Sequence, residues 1–132
     1  MQYQALTNKI IGAAYTVYNQ MGFGFLESVY EKCLLIELQK EGIRAENQAE
    51  ICVKYDEKVV GEFKADLLVE NDIILELKSV RAITQVHEVQ LVNYLKATGK
   101  DLGLLINFGE RGVQVKRKVR DLKSISKKKI IV

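Results

Sequence analysis

Three ionisable side chains interrupt two apolar segments in the middle of the chain. Asp66 lies within the run Val59–Val69, and Glu76 and Lys78 lie within the run Ile73–Val80. Both runs have the composition of β-strands. Side chains alternate across a strand, so Glu76 and Lys78 share one face. Burying a carboxylate is costly unless a partner neutralises it. The sequence therefore predicts that these groups have partners.

Two kinds of partner fit these residues. In the simpler one, Lys78 or Lys64 forms a structural ion pair with Glu76, although buried ion pairs stabilise a fold poorly compared with packed apolar residues. In the other, Asp66 and Glu76 supply the oxygen ligands that Mg²⁺ prefers, with water and a phosphate completing the octahedron. Mn²⁺ would substitute. Lys78 would then stabilise the charge that develops on phosphorus.

The spacing of these residues resembles a known signature. Asp66, nine intervening residues and then Glu76-Leu77-Lys78 are similar to the D…(D/E)-x-K motif of the PD-(D/E)XK nuclease superfamily. The motif's leading proline is absent, because Ala65 precedes Asp66. Since that proline is a turn feature and not a ligand, its loss leaves the expected chemistry intact.

Two further segments carry the resemblance. GFLESVY, residues 24–30, matches the G-x-x-E-x-x-Y motif of a family of small proteins within that superfamily, with Glu27 and Tyr30 at its defined positions. QLVNY, with Gln90 and Tyr94 at its ends, matches the Q-x-x-x-Y element of RecB-like nucleases. The resemblance runs over nearly the whole chain, in the expected order.

The resemblance implies a fold and a function. It implies an α/β, restriction-endonuclease-like core in a single domain over residues 1–132, and a Mg²⁺-dependent nuclease that cleaves nucleic acid, DNA before RNA. Asp66, Glu76 and Glu27 would bind the metal. The implied catalytic set is Glu27, Asp66, Glu76, Lys78 and Gln90, with Tyr30 and Tyr94 in support.

The helical site residues also have simpler explanations. Glu27 lies in the first turn of a predicted helix, where an anion is favoured, but it shares a stripe with Tyr30 and is expected to face inward. Gln90 and Tyr94 lie four residues apart and could form a satisfied core network. His87, on the same face, is expected to be a surface residue without a catalytic role.

Periodicity predicts the order helix, helix, three strands, helix, two strands. The third helix can act as a crossover between parallel strands of a mixed central sheet. The odd-numbered residues 63 to 69 are expected on one face of their strand. The predicted helices cover about residues 4–20, 26–40 and 84–97, and the strands about 51–55, 59–69, 73–80, 102–108 and 113–119.

The loop before the third strand decides whether the site can form. A two-residue loop would set Asp66 against Leu77, on the wrong face. A three-residue loop, Glu70–Asp72, pairs Val69 with Ile73 and brings Asp66 opposite Glu76. Asn and Asp tolerate the left-handed conformation that such loops need, so the sequence predicts the odd-length loop.

Positive charge is concentrated near the C-terminal end. The net charge is only +3, but Lys116, Arg117 and Lys118 lie in the last predicted strand, and a lysine-rich tail covers about residues 123–132. These cations, with Lys64, are expected to contact phosphates. The alternative is a solvated strand edge on which lysine discourages edge-to-edge pairing.

The remaining features are consistent with one intracellular domain. Cys33 and Cys52 have neither disulfide nor metal-ligand spacing and are expected to be buried. With no signal peptide and no apolar run long enough for a membrane span, a cytoplasmic location is expected. The sequence leaves open whether the protein forms a homodimer. A non-catalytic module that binds nucleic acid or protein on the same scaffold, or a structural subunit, is the alternative to an enzyme.

Overall fold

Eight regular elements follow one another along residues 3–120, the part of the chain that the computed structural model describes. Their order, helix, helix, three strands, helix and two strands, is the predicted one. The predicted basic tail, residues 123–132, lies outside the described residues. The elements are α1 (Gln4–Met21), α2 (Glu27–Lys40), β1 (Ala45–Tyr55), β2 (Lys58–Val69), β3 (Ile73–Lys78), α3 (Gln85–Thr98), β4 (Leu102–Gly109) and β5 (Gly112–Val119).

The five strands form one mixed sheet in the order β1-β2-β3-β4-β5. Neighbouring strands are antiparallel except for β3 and β4, which are parallel and joined by α3. Such a crossover is how a chain connects parallel neighbours. The mixed sheet flanked by helices therefore confirms the predicted α/β architecture.

Helices cover both faces of the sheet. The α1 and α2 helices pack on one face, against residues such as Leu75 and Phe108, and α3 packs on the other, against Ile74 and Leu105. Because β4 is covered on both sides, all of its residues are buried, as its nearly all-apolar sequence predicted. None of the helices within residues 3–120 is both long and apolar enough to cross a membrane.

The β2–β3 loop has the predicted length. Val69 pairs with Ile73, and Glu70 and Asn71 adopt left-handed φ angles of 51° and 57°. The Asp72 N–H donates to the Val69 carbonyl at 3.0 Å and closes the turn. The predicted register is therefore confirmed.

The outer half of the β1–β2 hairpin departs from simple alternation. Pairing is interrupted at Gln48 and Asp66, and Gln48 has a left-handed φ of 54°. Beyond this point Ala65 packs in the core under α3, whereas Leu67 packs in the core under α1 and α2. The expectation that residues 63 to 69 share one face is therefore wrong, because the hairpin twists at Asp66.

Other differences are at the ends of elements. The strand β1 begins at Ala45, six residues before the predicted start at Ile51. The prediction missed its first half because polar residues there, such as Gln48, do not show the apolar alternation of a strand. The strand β3 ends at Lys78 instead of Val80. Of the two free cysteines, Cys33 is partly buried but Cys52 is exposed, so the predicted burial of Cys52 is wrong.

Gly103 lies where α3 packs tightly against β4. A Cβ atom there would lie 2.8 Å from Leu91 Cδ1 and 3.2 Å from the Ile74 carbonyl oxygen. We expect Gly103→Ala to lower the free energy of unfolding by about 1–3 kcal/mol, because a packed core tolerates extra volume poorly. Urea denaturation measures it.

Gly12→Ala is the matched control, because a Cβ at Gly12 in α1 meets no atom within 4 Å. That substitution should stabilise by about 0.5–1 kcal/mol. Equal stability of Gly103→Ala and the wild type would contradict the close packing of α3 on β4.

Candidate active site

Asp66 and Glu76 meet where β2 and β3 separate. The last backbone pair between these strands is Leu67 with Leu75. Beyond it, the Leu77 N–H donates to Asp66 Oδ2 at 2.7 Å, and the Asp66 N–H donates a longer bond to Glu76 Oε1 at 3.4 Å. Each carboxylate thus accepts a backbone hydrogen bond in place of one that the pairing of β2 with β3 would otherwise supply. The second oxygen of each carboxylate accepts no hydrogen bond within the described residues 3–120.

Both carboxyl groups are removed from water. Glu76 is only 7% exposed, and its burial, with the nearby Asp66 charge, raises its pKa from 4.5 to about 8. Burial also raises the pKa of Asp66, which the hydrogen bond from Leu77 partly opposes. Desolvation disfavours the charged form. The protein alone therefore does not fully compensate the negative charge that the site would carry with both carboxyl groups ionised.

Lys78 lies beside this pair without neutralising it. Its charge lowers the pKa of both Glu76 and Asp66. Across residues 3–120, however, neither Lys78 nor Lys64 comes within 4 Å of Glu76 to form an ion pair. The simple ion-pair explanation therefore does not describe the site.

Glu27 is at the rim of the cluster. It is the first residue of α2 and is exposed, so the expectation that it faces inward is wrong. Because the helix begins there, no earlier turn covers its side chain. Its charge nevertheless raises the pKa of Asp66 and of Glu76, which puts it within electrostatic range of both.

Glu31 is a further carboxylate, to which the sequence analysis gave no role. It is 6% exposed and accepts hydrogen bonds from Gln48 Nε2 at 2.6 Å and Asn47 Nδ2 at 3.3 Å. It raises the pKa of Asp66 more than Glu27 does. The signal in the sequence was its spacing, since a residue four positions after Glu27 lies on the same helical face.

Tyr30 anchors the segment that leads into α2. It is fully buried and its ring stacks on Phe108 with centroids 4.4 Å apart. Its hydroxyl donates to the Gly22 carbonyl and accepts from the Phe25 N–H at 3.3 Å. These contacts fix the chain just before Glu27, and the supporting role of Tyr30 in catalysis stays a prediction.

Asn107 anchors the other side of the site. It is fully buried in β4, accepts from the Val80 N–H at 2.9 Å and donates to the Val80 carbonyl at 2.8 Å. The backbone after Lys78 is therefore bound by a side chain and not by a strand ladder, which explains why β3 ends there. A polar residue inside an otherwise apolar strand was the signal for this role.

The helix α3 brings Gln90 and Tyr94 to the same region. Gln90 Nε2 donates to the Tyr94 hydroxyl at 2.9 Å. Burial and the charge of Glu76 raise the pKa of Tyr94, which places it near the acidic pair. Gln90 is exposed. His87 Nδ1 accepts from the Thr84 N–H at 3.1 Å and so caps the start of α3.

The basic residues predicted to bind phosphate are not gathered into one patch. Lys116 pairs with Leu105 and Arg117 with Leu104, and successive residues point to opposite faces. Lys118 Nζ lies 3.0 Å from Glu88 Oε1 and so joins β5 to α3. Lys64 is exposed, opposite Glu50 on β1. Their role in binding nucleic acid stays a prediction.

The acidic pair fits a hard divalent cation. No three His, Cys, Asp or Glu side chains in residues 3–120 are close enough together to hold an ion. Mg²⁺ does not need three, because it is usually bound by one or two carboxylates with waters and substrate phosphates. The free oxygens of Asp66 and Glu76, in a site whose negative charge is under-compensated, match that requirement. Glu27 and Glu31 add charge around it.

The fold and this arrangement define a class of protein. Residues 4–120 match the family model of the PD-(D/E)XK nuclease superfamily. The match covers most of the chain, and the protein belongs to this superfamily.

The fold of the chain is similar to that of a solved structure. The crystal structure of SSO0001 superposes with a TM-score of 0.55 at 20% identity, over 76% of this chain and 53% of that one. The alkaline exonuclease LHK-Exo from Laribacter hongkongensis gives a TM-score of 0.45 at 14% identity, over 70% and 55%. The chain thus spans about half the length of these proteins. No curated protein matches it.

The raised pKa of Glu76 predicts how stability depends on pH without metal. The folded state holds this proton up to about pH 8, whereas the unfolded chain releases it near 4.5. Since the folded state then binds more protons, the free energy of unfolding falls as pH rises through this window. Glu76→Gln removes that loss and should stabilise the metal-free protein above pH 8 by on the order of 2–4 kcal/mol.

Urea denaturation in EDTA, at several pH values across the window, measures this difference. The exposed Glu62→Gln on β2 is the control and should follow the wild type. A Glu76→Gln curve parallel to that of the wild type at every pH would contradict the burial of an uncompensated carboxyl group.

Proposed function

We propose that the protein is a divalent-metal-dependent nuclease that hydrolyses phosphodiester bonds, with DNA favoured over RNA. The observation that carries this proposal is the acidic pair. Asp66 and Glu76 each bind the opposite strand's backbone with one oxygen and keep the other available. Membership of the nuclease superfamily over residues 4–120 supports the same reaction.

The protein's contribution is to place charge. Asp66 and Glu76 would hold Mg²⁺, for which Mn²⁺ substitutes, and Glu27 and Glu31 would add negative charge from α2. When bound, the ion neutralises phosphate charge and lowers the pKa of water. In hydrolysis the oxygen of a water molecule bonds to phosphorus as the bond to the leaving oxygen breaks; the water loses one proton and the leaving oxygen takes one up.

Lys78 supplies positive charge where the phosphate gains negative charge. It is on the same strand face as Glu76, and the contacts of Asn107 with Val80 hold the backbone just beyond it. Fixed charges in a site with little water stabilise a transition state strongly. Gln90, which is exposed, would orient the substrate, and Tyr94 would hold the Gln90 side chain through their hydrogen bond.

The proposal explains why glycine, glutamate and tyrosine occupy the defined positions of the G-x-x-E-x-x-Y motif. Gly24 adopts a φ of 118°, which favours glycine. Tyr30 binds the backbone of Gly22 and Phe25, and Ser79 Oγ donates to the Phe25 carbonyl at 2.9 Å. The segment is thereby joined to the end of β3, and on this proposal that joint would hold Glu27 near the acidic pair. We therefore propose that the chain belongs to the G-x-x-E-x-x-Y group.

Asp66→Asn and Lys78→Gln test the proposal. We expect the wild type to degrade end-labelled DNA with Mg²⁺ or Mn²⁺ and not in EDTA. Each variant should lower the rate by at least about 10²–10³-fold, because each removes fixed charge at the reacting phosphate. A gel assay on DNA and RNA, each single-stranded and duplex, measures the rates.

Glu62→Gln and Lys58→Gln are the matched controls, since both residues are exposed on β2. They should keep wild-type rates. Full activity in Asp66→Asn would overturn the assignment of the site. Binding of nucleic acid without cleavage by the wild type at millimolar metal would establish the non-catalytic binding module instead.

A further inference from the structure

A groove of about 1110 Å³ lies between the β1–β2 hairpin and α3. One wall is formed by residues 49–54 with Phe63 and Ala65, and the other includes residues 96–98. The groove exists because β3 pairs only with residues 67–69 of β2. The rest of the hairpin projects past the sheet, twisted at Asp66 so that Ala65 and Ile51 face α3.

The groove presents an aromatic surface. Phe63 and Tyr94 lie in contact, with ring centroids 5.7 Å apart and planes inclined by 38°. Tyr94 is buried, but Phe63 is 46% exposed. An exposed ring in a groove can stack with a flat ligand, and stacking of a nucleobase on an aromatic side chain does not depend on which base it is.

The groove is also positively charged. Lys54, Lys96 and Lys100 line it, against one acidic residue, Glu50. Within residues 3–120, none of the three lysines lies in an ion pair. Cations that have no protein partner are available to phosphates, and releasing the counterions of a nucleic acid favours binding.

The groove borders the candidate active site. Gln90, Tyr94 and Ala65 are among its lining residues. Ala65 adjoins Asp66 in the chain, and Ile74, another lining residue, lies on the same face of β3 as Glu76. A polymer lying in the groove would therefore pass next to the strand positions that carry the acidic pair.

We propose that this groove binds a single-stranded segment of nucleic acid and leads it to Asp66 and Glu76. The three lysines would contact the backbone, and a base would stack on Phe63. A single strand is required because the faces of bases within a duplex are covered by their neighbours. The inference rests on the proposed function, which it extends by naming the substrate class.

The aromatic contact is tested by measuring how tightly a labelled oligo-dT of about 10 nucleotides binds. Fluorescence anisotropy gives the affinity, and all proteins carry Asp66→Asn so that the oligonucleotide is not cleaved. Phe63→Ala should weaken binding about 5- to 100-fold, the value of one stacked base. Phe63→Leu keeps an apolar contact with Tyr94 and should also weaken it. Tyr55→Ala, an aromatic residue 73% exposed on the same hairpin and outside the groove, should not.

The salt dependence tests the lysines separately. Lys54→Gln, Lys96→Gln and Lys100→Gln combined should reduce the slope of log K against log[salt] by about 2, since each single-strand phosphate contact contributes about 0.7. The exposed residues Lys9, Lys32 and Lys58, changed together to Gln, form the matched control and should leave the slope unchanged.

Several outcomes would overturn the inference. These are tighter binding of duplex than of single strands, equal effects of Phe63→Ala and Tyr55→Ala, or a dimer that the groove variants dissociate, which would assign the groove to a second copy of the chain. Oligo-U in parallel shows which polymer binds more tightly, and either preference supports the groove.

The two proposals fail in different ways. If the groove variants change neither binding nor the Asp66-dependent cleavage, the groove proposal is wrong and the nuclease proposal stands. If the wild type binds nucleic acid through the groove but cleaves none with Mg²⁺ or Mn²⁺, the nuclease proposal is wrong.

Discussion

The site depends on the exchange of hydrogen bonds between Asp66 and the backbone of β3 and between Glu76 and the backbone of β2. These bonds satisfy strand groups that the separated ladder leaves without partners, and they fix both carboxylates side by side. The arrangement is costly, because burial raises the pKa of both groups. A cation between the free oxygens would offset that cost, so the same geometry that disfavours the metal-free site favours a metal.

The rest of the structure keeps this exchange in register. Tyr30 anchors the start of α2 on one side, and Asn107 holds the backbone after Lys78 on the other. The crossover helix α3 covers the sheet face that carries Glu76 and brings Tyr94 beside it. The twist at Asp66 has a second consequence, since it turns the outer hairpin towards α3 and forms the groove. Site and groove thus have one structural origin.

Local signals predicted the architecture and the register. The need to bring Asp66 opposite Glu76, with Asn and Asp in the loop, predicted that Val69 pairs with Ile73, and the structure has that pair. Contacts distant in sequence were not predictable. Glu31 is buried because Gln48 and Asn47, in a polar half of β1 that did not resemble a strand, bind its carboxylate. The basic run in β5 is continuous in sequence but divided between two faces, and the groove depends on a twist that no residue pattern indicated.

The most direct test of the account is anomalous diffraction from crystals grown with Mn²⁺, for the wild type and for Glu76→Gln. The account predicts one Mn²⁺ ion at direct ligand distance, about 2 Å, from the free oxygens of Asp66 and Glu76, with much lower occupancy in Glu76→Gln. The bonds from Leu77 to Asp66 and from Asp66 to Glu76 should remain. A wild-type structure with both carboxylates in place and no ion between them at millimolar Mn²⁺ would contradict the account.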